Sequence, residues 1–286
     1  MAKSLKFFLF FIPLFTILTA VVGYPLLSTI YLSFFEKKIG AGVTKFIFLS
    51  NYIQLIKDDT FWFVLLNTFT WTILNVALTT FVGILLAVLL SDERMKGVKF
   101  FRVLLIIPWA ISIPGAMAWI WLMNGDYGFL NEILVSLGII KQYVAWLAEP
   151  DIVLFSCTIA NVWFSYPYMT VMLLAGLQSI PRELYDASAI DGVNKFQEFK
   201  YITIPQLAPA LLVAVALYTI WTMNTFIPYV LVKGGLGNRA VTLPIYIYNL
   251  FFKIYDFGRG AAAATLLFLM NLLLAIIYLR SLRIEW

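Results

Sequence analysis

Six stretches of the chain run for 20 residues or more without an Asp, Glu, Lys or Arg: Phe7–Phe35, Thr60–Ser91, Val103–Gly125, Ile152–Pro181, Tyr201–Val232 and Gly260–Leu279. A helix needs about 20 apolar residues to cross the hydrocarbon of a bilayer. The pattern therefore predicts an all-α membrane protein of six transmembrane helices in one domain, residues 1–286. The helices are expected near 7–34, 62–90, 101–123, 153–178, 206–231 and 260–281. The overall balance agrees: 12% of residues are charged, about half of the roughly 25% usual for a soluble domain. Residues 240–252 are also charge-free but too short to cross, and read as interfacial or re-entrant. The first run exceeds the apolar core of a signal peptide, about 7–15 residues, and reads as a retained helix. A cleaved leader is the alternative.

Basic residues that flank spans favour the cytoplasmic side. With the N-terminus inside, eleven of the 20 Lys and Arg fall inside, close to helix ends. Arg94, Lys96, Lys99 and Arg102 form one tight cluster there. The expectation is a multi-pass protein of the cell membrane with both termini cytoplasmic. The net charge of +5 then belongs to membrane topology, not to nucleic-acid binding.

Several functions are excluded by what is missing. There is no histidine, so a Ser–His dyad, an HExxH zinc site and a His-ligated haem cannot be built. No GxxxxGK[ST] phosphate loop occurs, and Cys157, the single cysteine, falls in a predicted span where packing is its usual role. No Asp, Glu, Lys or Arg sits deep in a span, where ion-coupled carriers usually keep one. The residues predict no enzyme active site, no metal and no cofactor bound by this chain. A stand-alone secondary transporter is the weaker alternative.

The later spans contain prolines: Pro108 and Pro114, Pro167, and Pro228. Membrane helices tolerate such breaks when neighbours or water satisfy the freed backbone. Ordinary kinks and a cavity lined by broken helices are both consistent with them. Polar and aromatic residues recur at helical spacing beside these prolines. Asn161, Phe164, Ser165 and Tyr168 stand at i, i+3, i+4 and i+7. Trp221, Asn224 and Thr225 share a face near Pro228, and Trp109 and Ser112 lie between Pro108 and Pro114. Aromatic faces with Asn and Ser suit a neutral polyol, since an amide offers donor and acceptor to neighbouring hydroxyls. An anion would be left there without a cationic partner. Hydrogen bonding between helices is the competing role for each of these residues.

One internal segment, 181–205, breaks the apolar pattern. Pro181 suits a first helical position and Glu183 the first turn, so RELYDASAI reads as a short helix. Gly192 follows as a helix-ending residue, and Asn194 with Gln197 resembles a capping box for a second helix, Lys195–Tyr201, ending near Pro205. On the residues alone, a segment that docks on another protein and an amphipathic hairpin on the lipid surface are both open.

The segment resembles the coupling loop of binding-protein-dependent ABC importers, whose pattern is E-A-A, three residues, G, nine residues, I, one residue, L-P. Here Asp186-Ala187-Ser188, Gly192, Ile202 and Ile204-Pro205 stand at those positions with the same gaps. The departures are Asp for Glu, Ser for Ala and Ile for Leu. The chain is most similar to carbohydrate importers, and among them to the larger membrane subunit of maltose-type systems. Residues 161–169, Gly176–Pro181 and Leu231–Gly235 carry that likeness. Those relatives have extra N-terminal helices and a bulky outer domain, for which no counterpart is expected in residues 1–286.

The resemblance implies a type I ABC importer permease fold with a cytosolic coupling helix. It implies a permease subunit that moves a neutral sugar, a maltose- or trehalose-like di- or oligosaccharide, delivered by an extracellular binding protein. The same machine carrying glycerol phosphate or another polyol is the alternative. The implied partners are a second homologous permease chain and two ATPase subunits, which would bind ATP and Mg and do the hydrolysis. The host would be a bacterium or an archaeon. The resemblance assigns coupling to Tyr185, Asp186, Ala187, Ser188, Asp191, Gly192, Ile202 and Pro205. It assigns sugar contact to Asn161, Phe164, Ser165, Tyr168 and Asn224; Trp221 falls where those relatives have Asn, Trp109 near where they have an aromatic, and Ser112 completes the expected substrate set by its place between the two prolines.

Overall fold

A computed structural model of the chain describes residues 11–38, 44–92, 96–233 and 236–281. Arg94, Gly234 and Gly235 fall outside them, as does the side chain of Ser112. The first helix, α1 (Phe11–Leu32), contains a π-helical turn at Thr19–Gly23 and is followed by a two-stranded antiparallel hairpin of β1 (Phe35–Glu36) and β2 (Lys45–Phe46). Next come α2 (Ser50–Ile56), α3 (Asp59–Ser91), α4 (Val98–Leu104), α5 (Ile107–Ala110), α6 (Ser112–Leu122), α7 (Phe129–Ser136) and α8 (Val153–Gln178). The chain continues through α9 (Arg182–Ile190), α10 (Lys195–Met223), α11 (Ile227–Val232), α12 (Leu243–Phe252) and α13 (Phe257–Ser281).

Among the described residues four helices, α1, α3, α10 and α13, are long and apolar enough to cross a membrane, five if one bent pair counts as a span, where six were expected. The expected third span is not one rod. Its two parts, Val98–Ala110 and Pro114–Leu122, are bent by 87°. Ile111 leaves helical geometry between them, at φ −108° and ψ 31°. Pro108 and Pro114 flank that point, and each removes a backbone donor and crowds the preceding turn. The expected fourth span, α8, has 26 residues, enough for about 39 Å. It stays unbroken across Pro167, but Ser, Thr, Asn and Tyr dilute its apolar character. The fifth helix differs from expectation at both ends. It begins at Lys195 rather than near 206, and it stops at Met223, before Pro228.

The early start of α10 has a local cause. The segment Lys195–Glu198 does not end before Pro205 but continues through a π-helical turn, Phe199–Thr203, into the span. There the Ile204 N–H donates to the Phe199 carbonyl, five residues back. A proline in an α-helix clashes with the carbonyl four residues earlier. The wider π turn makes room for the ring of Pro205, so the chain enters the span without a break.

The chain divides into two compact units, Phe63–Thr242 with Asn271–Trp286, and Met1–Trp62 with Leu243–Met270. In the larger unit α8 is the centre. Its Cys157, Ala160 and Phe164 pack with Trp71 and Ala116, and its Met169, Leu173 and Leu177 pack with Ala87, Leu207 and Tyr218. At Gly176 a β-carbon would lie 2.7 Å from the Cβ of Ala210, so the missing side chain lets α8 and α10 approach closely.

The smaller unit is organised by polar groups. Buried Asn51 donates to the carbonyls of Ser33 and Phe35, at 2.8 and 2.9 Å. Asp256, 2% exposed, caps α13 by accepting from the Arg259 N–H at 3.1 Å. Its other oxygen pairs with Arg259 Nε at 2.7 Å and Lys38 Nζ at 3.4 Å. Removing the carboxylate leaves the partly buried Arg259 uncompensated. Asp256→Ala is expected to cost about 3 kcal/mol and Asp256→Asn, which keeps the cap, about half of that. Thermal unfolding in detergent, followed by fluorescence-detected size exclusion, measures both. Equal melting temperatures for wild type and Asp256→Ala would remove this anchor.

Candidate functional site

The break after α5 and the end of α10 face one side of α8, and between them lies a cavity of about 170 Å³. Its lining is Trp109, Asn161, Phe164, Ser165, Tyr218, Trp221, Thr222, Thr225 and Ile227. None of the nine is charged. Five of them, Trp109, Asn161, Phe164, Ser165 and Trp221, are among the eight residues the sequence singled out for substrate contact. The ring of Trp109 meets that of Trp221 edge-on with centroids 6.5 Å apart, and both indoles are about half exposed.

Tyr168 stands behind this wall. Its ring stacks on Tyr218 at 6.2 Å and meets Trp221 edge-on at 5.9 Å. Its hydroxyl is buried and, among the described residues, has no hydrogen-bond partner. Leaving such a group unpaired costs about 1–3 kcal/mol.

Asn224 does not join the set. Because α10 ends at Met223, Asn224 leaves the helical path, at φ −104° and ψ 6°. Its amide donates to Ile220 O at 2.6 Å and to Asn271 Oδ1 at 3.1 Å, and the Asn271 amide returns a bond at 3.3 Å. The face expected through Trp221, Asn224 and Thr225 is instead Tyr218, Trp221, Thr222 and Thr225. These stand at i, i+3, i+4 and i+7, the same spacing that picked out the α8 residues. Applying it from Tyr218 would have found Tyr218 and Thr222, which the sequence reading missed. Ser112 occupies the first position of α6.

Beneath the cavity lies a buried polar network. Asn161 donates from Nδ2 to Asn75 Oδ1 at 2.7 Å and to the Tyr218 hydroxyl at 3.3 Å. Asn75 donates to Trp71 O at 2.8 Å and to Thr158 Oγ1 at 3.5 Å. The hydroxyls of Thr79 and Tyr218 are 3.1 Å apart. Asn75 and Thr79, both fully buried on α3, were not recognised in the sequence, although Thr68, Thr72, Asn75 and Thr79 stand at i, i+4, i+7 and i+11 on one helical face.

The segment 181–205 folds as helix, turn, helix. Gly192, at φ +70°, closes α9 in a Schellman arrangement: its N–H donates to Ala189 O at 3.3 Å and the Val193 N–H donates to Ser188 O at 3.0 Å. Asn194 and Gln197 form the reciprocal capping box, with bonds of 2.9 and 3.1 Å. Asp186, Ala187, Asp191, Gly192 and Pro205 are exposed, whereas Tyr185 and Ile202 are half-buried. Ser188 faces inward, buried, its hydroxyl donating to Tyr185 O at 2.8 Å. Tyr185 in turn reaches Thr203 at 3.3 Å, tying α9 to the π turn of α10. Ile190 and Phe196, 87% and 73% exposed, leave an apolar patch beside Asp186 and Asp191.

Comparison with known proteins bears on the whole chain. The family model described as "Binding-protein-dependent transport system inner membrane component" matches residues 80–282. A trehalose/maltose transport system permease protein, MalF of Thermococcus litoralis, is 36% identical over 275 residues, which is 96% of this chain and 92% of that protein. A sulfoquinovosyl glycerol transport system permease protein, SmoG of Agrobacterium fabrum, is 33% identical and covers 93% of this chain and 87% of its own length. Among solved structures, a bacterial ABC transporter involved in the import of the acidic polysaccharide alginate aligns over 99% of this chain and 96% of its own. The TM-score is 0.85 and the identity 20%, a likeness of fold. The chain therefore belongs to the inner membrane components of binding-protein-dependent transport systems, an integral membrane permease rather than a catalytic chain.

Proposed function

We propose that this permease moves a neutral sugar, a di- or oligosaccharide of the maltose or trehalose kind, through the cavity between α5, α8 and α10. The observation that carries the reading is the lining: aromatic rings, hydroxyls and an amide, with no charge among nine residues. Rings of Trp221 and Trp109 offer flat faces to the apolar side of a pyranose, and hydroxyls with Asn161 match its hydroxyl groups. A glycerol phosphate would be buried without a cation. The names of the trehalose/maltose and sulfoquinovosyl glycerol relatives support a sugar as cargo.

In this reading the chain crosses the membrane six times with both termini cytoplasmic, the bent helix and α8 supplying the third and fourth passes. It pairs with a second, homologous permease chain and two ATPase subunits, and an extracellular binding protein delivers the sugar. The segment 181–205 couples it to an ATPase. Exposed Asp186 and Asp191 meet basic groups there, and Ile190 and Phe196 bury their apolar surface against it. ATP and Mg belong to those partner subunits, whose closure opens the cavity outward and whose hydrolysis returns it inward.

The test is a native-host purification in mild detergent with the partners retained, then reconstitution with the binding protein and assay of sugar-stimulated ATPase. Neutral di- or oligosaccharides are expected to stimulate and glycerol phosphate to have no effect; the reverse pattern refutes the assignment. Trp221→Ala is expected to raise the half-saturating sugar concentration about tenfold, the loss of roughly 1.4 kcal/mol, and an unchanged value would take Trp221 out of the path. At Gly192 an added β-carbon meets no atom within 4 Å, so the cost of a side chain there is that of the left-handed backbone at φ +70°, about 1 kcal/mol. Gly192→Asp is expected to leave the protein expressed and folded, with a melting temperature lowered by only a few degrees from that strain, while abolishing transport. Full transport by that variant would sink the coupling role of the turn.

A further inference from the structure

Asn161 touches the cavity, yet what it offers there is decided by a residue that does not line it. We infer that Asn75 is a positioning residue that orients the Asn161 amide so that only its oxygen, a hydrogen-bond acceptor, is left for the cargo. The argument is a count of donors. Trp71 O is a backbone carbonyl and can only accept, so the group of Asn75 that faces it, at 2.8 Å, is its NH2. The oxygen of Asn75 is thereby turned to Asn161, 2.7 Å away, and an oxygen facing an amide requires the NH2 of that amide. Asn161 has two amide hydrogens. One is spent on Asn75 and the other on the Tyr218 hydroxyl at 3.3 Å. Its Oδ1 is what remains.

The relay is rigidly held. Asn75 is 0% and Asn161 4% exposed. Thr158, on α8, stands 3.5 Å from the Asn75 amide, and Thr79, one turn along α3 from Asn75, stands 3.1 Å from the Tyr218 hydroxyl. Flipping Asn161 would set two amide NH2 groups or two oxygens against each other in an apolar surround, so the carbonyl of Trp71 ultimately fixes the polarity of the site. This rests on the sugar reading above and sharpens it. The cargo must present a hydroxyl that donates toward Asn161, and a group that only accepts, such as fluorine in place of that hydroxyl, is discriminated against.

The test uses an isosteric pair. Threonines on α3 donate to the carbonyl four residues back, as Thr68 does to Val64 O and Thr72 to Thr68 O, both at 2.7 Å. A threonine at 75 would donate to Trp71 O and accept from Asn161, whereas valine, of the same shape, does neither. In the reconstituted complex, Asn75→Val is expected to raise the half-saturating sugar concentration at least about tenfold with the maximal ATPase rate unchanged. Asn75→Thr is expected to stay within about threefold of wild type. The double variant Asn75→Val with Asn161→Ala should be no weaker than Asn161→Ala alone. A series of fluorodeoxy sugars should bind wild type less well at one position, and that penalty should shrink in Asn75→Val. A wild-type complex that responds to sugar, with both Asn75 variants alike or with only the melting temperature lowered, overturns the relay alone. A wild-type complex that responds to no neutral saccharide overturns the sugar reading and the relay with it.

Discussion

A polar group in a membrane-spanning helix has no water to turn to, so each one must be answered by the protein. That constraint organises the larger unit. Four of its buried threonines answer themselves: Thr68, Thr72, Thr170 and Thr219 donate to carbonyls four residues back, at 2.7–2.8 Å. An asparagine amide has two donors and an acceptor, more than its own helix can satisfy. Asn75 and Asn161 therefore satisfy each other across α3 and α8, and the Tyr218 hydroxyl brings in α10. The position of the network locks three helices in register at the level where the cavity opens.

The cavity itself comes from helices that stop. Packing around α8 is tight where small residues line the contact, as at Gly176 against Ala210. It is open where α5 gives way to α6 at Ile111 and where α10 ends at Met223. The two ends are paired with prolines, Pro108 and Pro114 at the first and Pro228 just past the second. Irregular backbone is tolerated at membrane depth only beside protein or a cavity. The tryptophans that border the opening, Trp109 and Trp221, sit next to these breaks and keep half their surface exposed.

The segment 181–205 follows a different rule, and it was legible almost residue by residue. Its structure depends on contacts between near neighbours in sequence: a left-handed glycine at 192, a reciprocal cap between Asn194 and Gln197, and a π turn ahead of Pro205. Only the continuation of its second helix into the span escaped prediction. A proline normally argues for a stop, and the widened turn that accommodates it has no signature in composition.

Much of the remaining sequence reading concerned which helical face would carry polar groups. Periodicity found the α8 face, because α8 is continuous from Val153 to Gln178 and a constant 100° per residue holds throughout. It set Asn224 on the face of Trp221 and Thr225, whereas the chain turns out of the helix there and the Asn224 amide pairs with Ile220 O and Asn271. It passed over Asn75, which shares a helical face with Thr68, Thr72 and Thr79, and no spacing shows its pairing with Asn161, 86 positions away. By itself, then, the sequence determined that the chain is a bundle of membrane helices, where the polar segment leaves it, and which family it serves, since all three rest on local composition and spacing. Where helices end, which side chains share a cavity and which way an amide points were decided only by the tertiary structure, because each is settled by contacts between residues far apart in the chain.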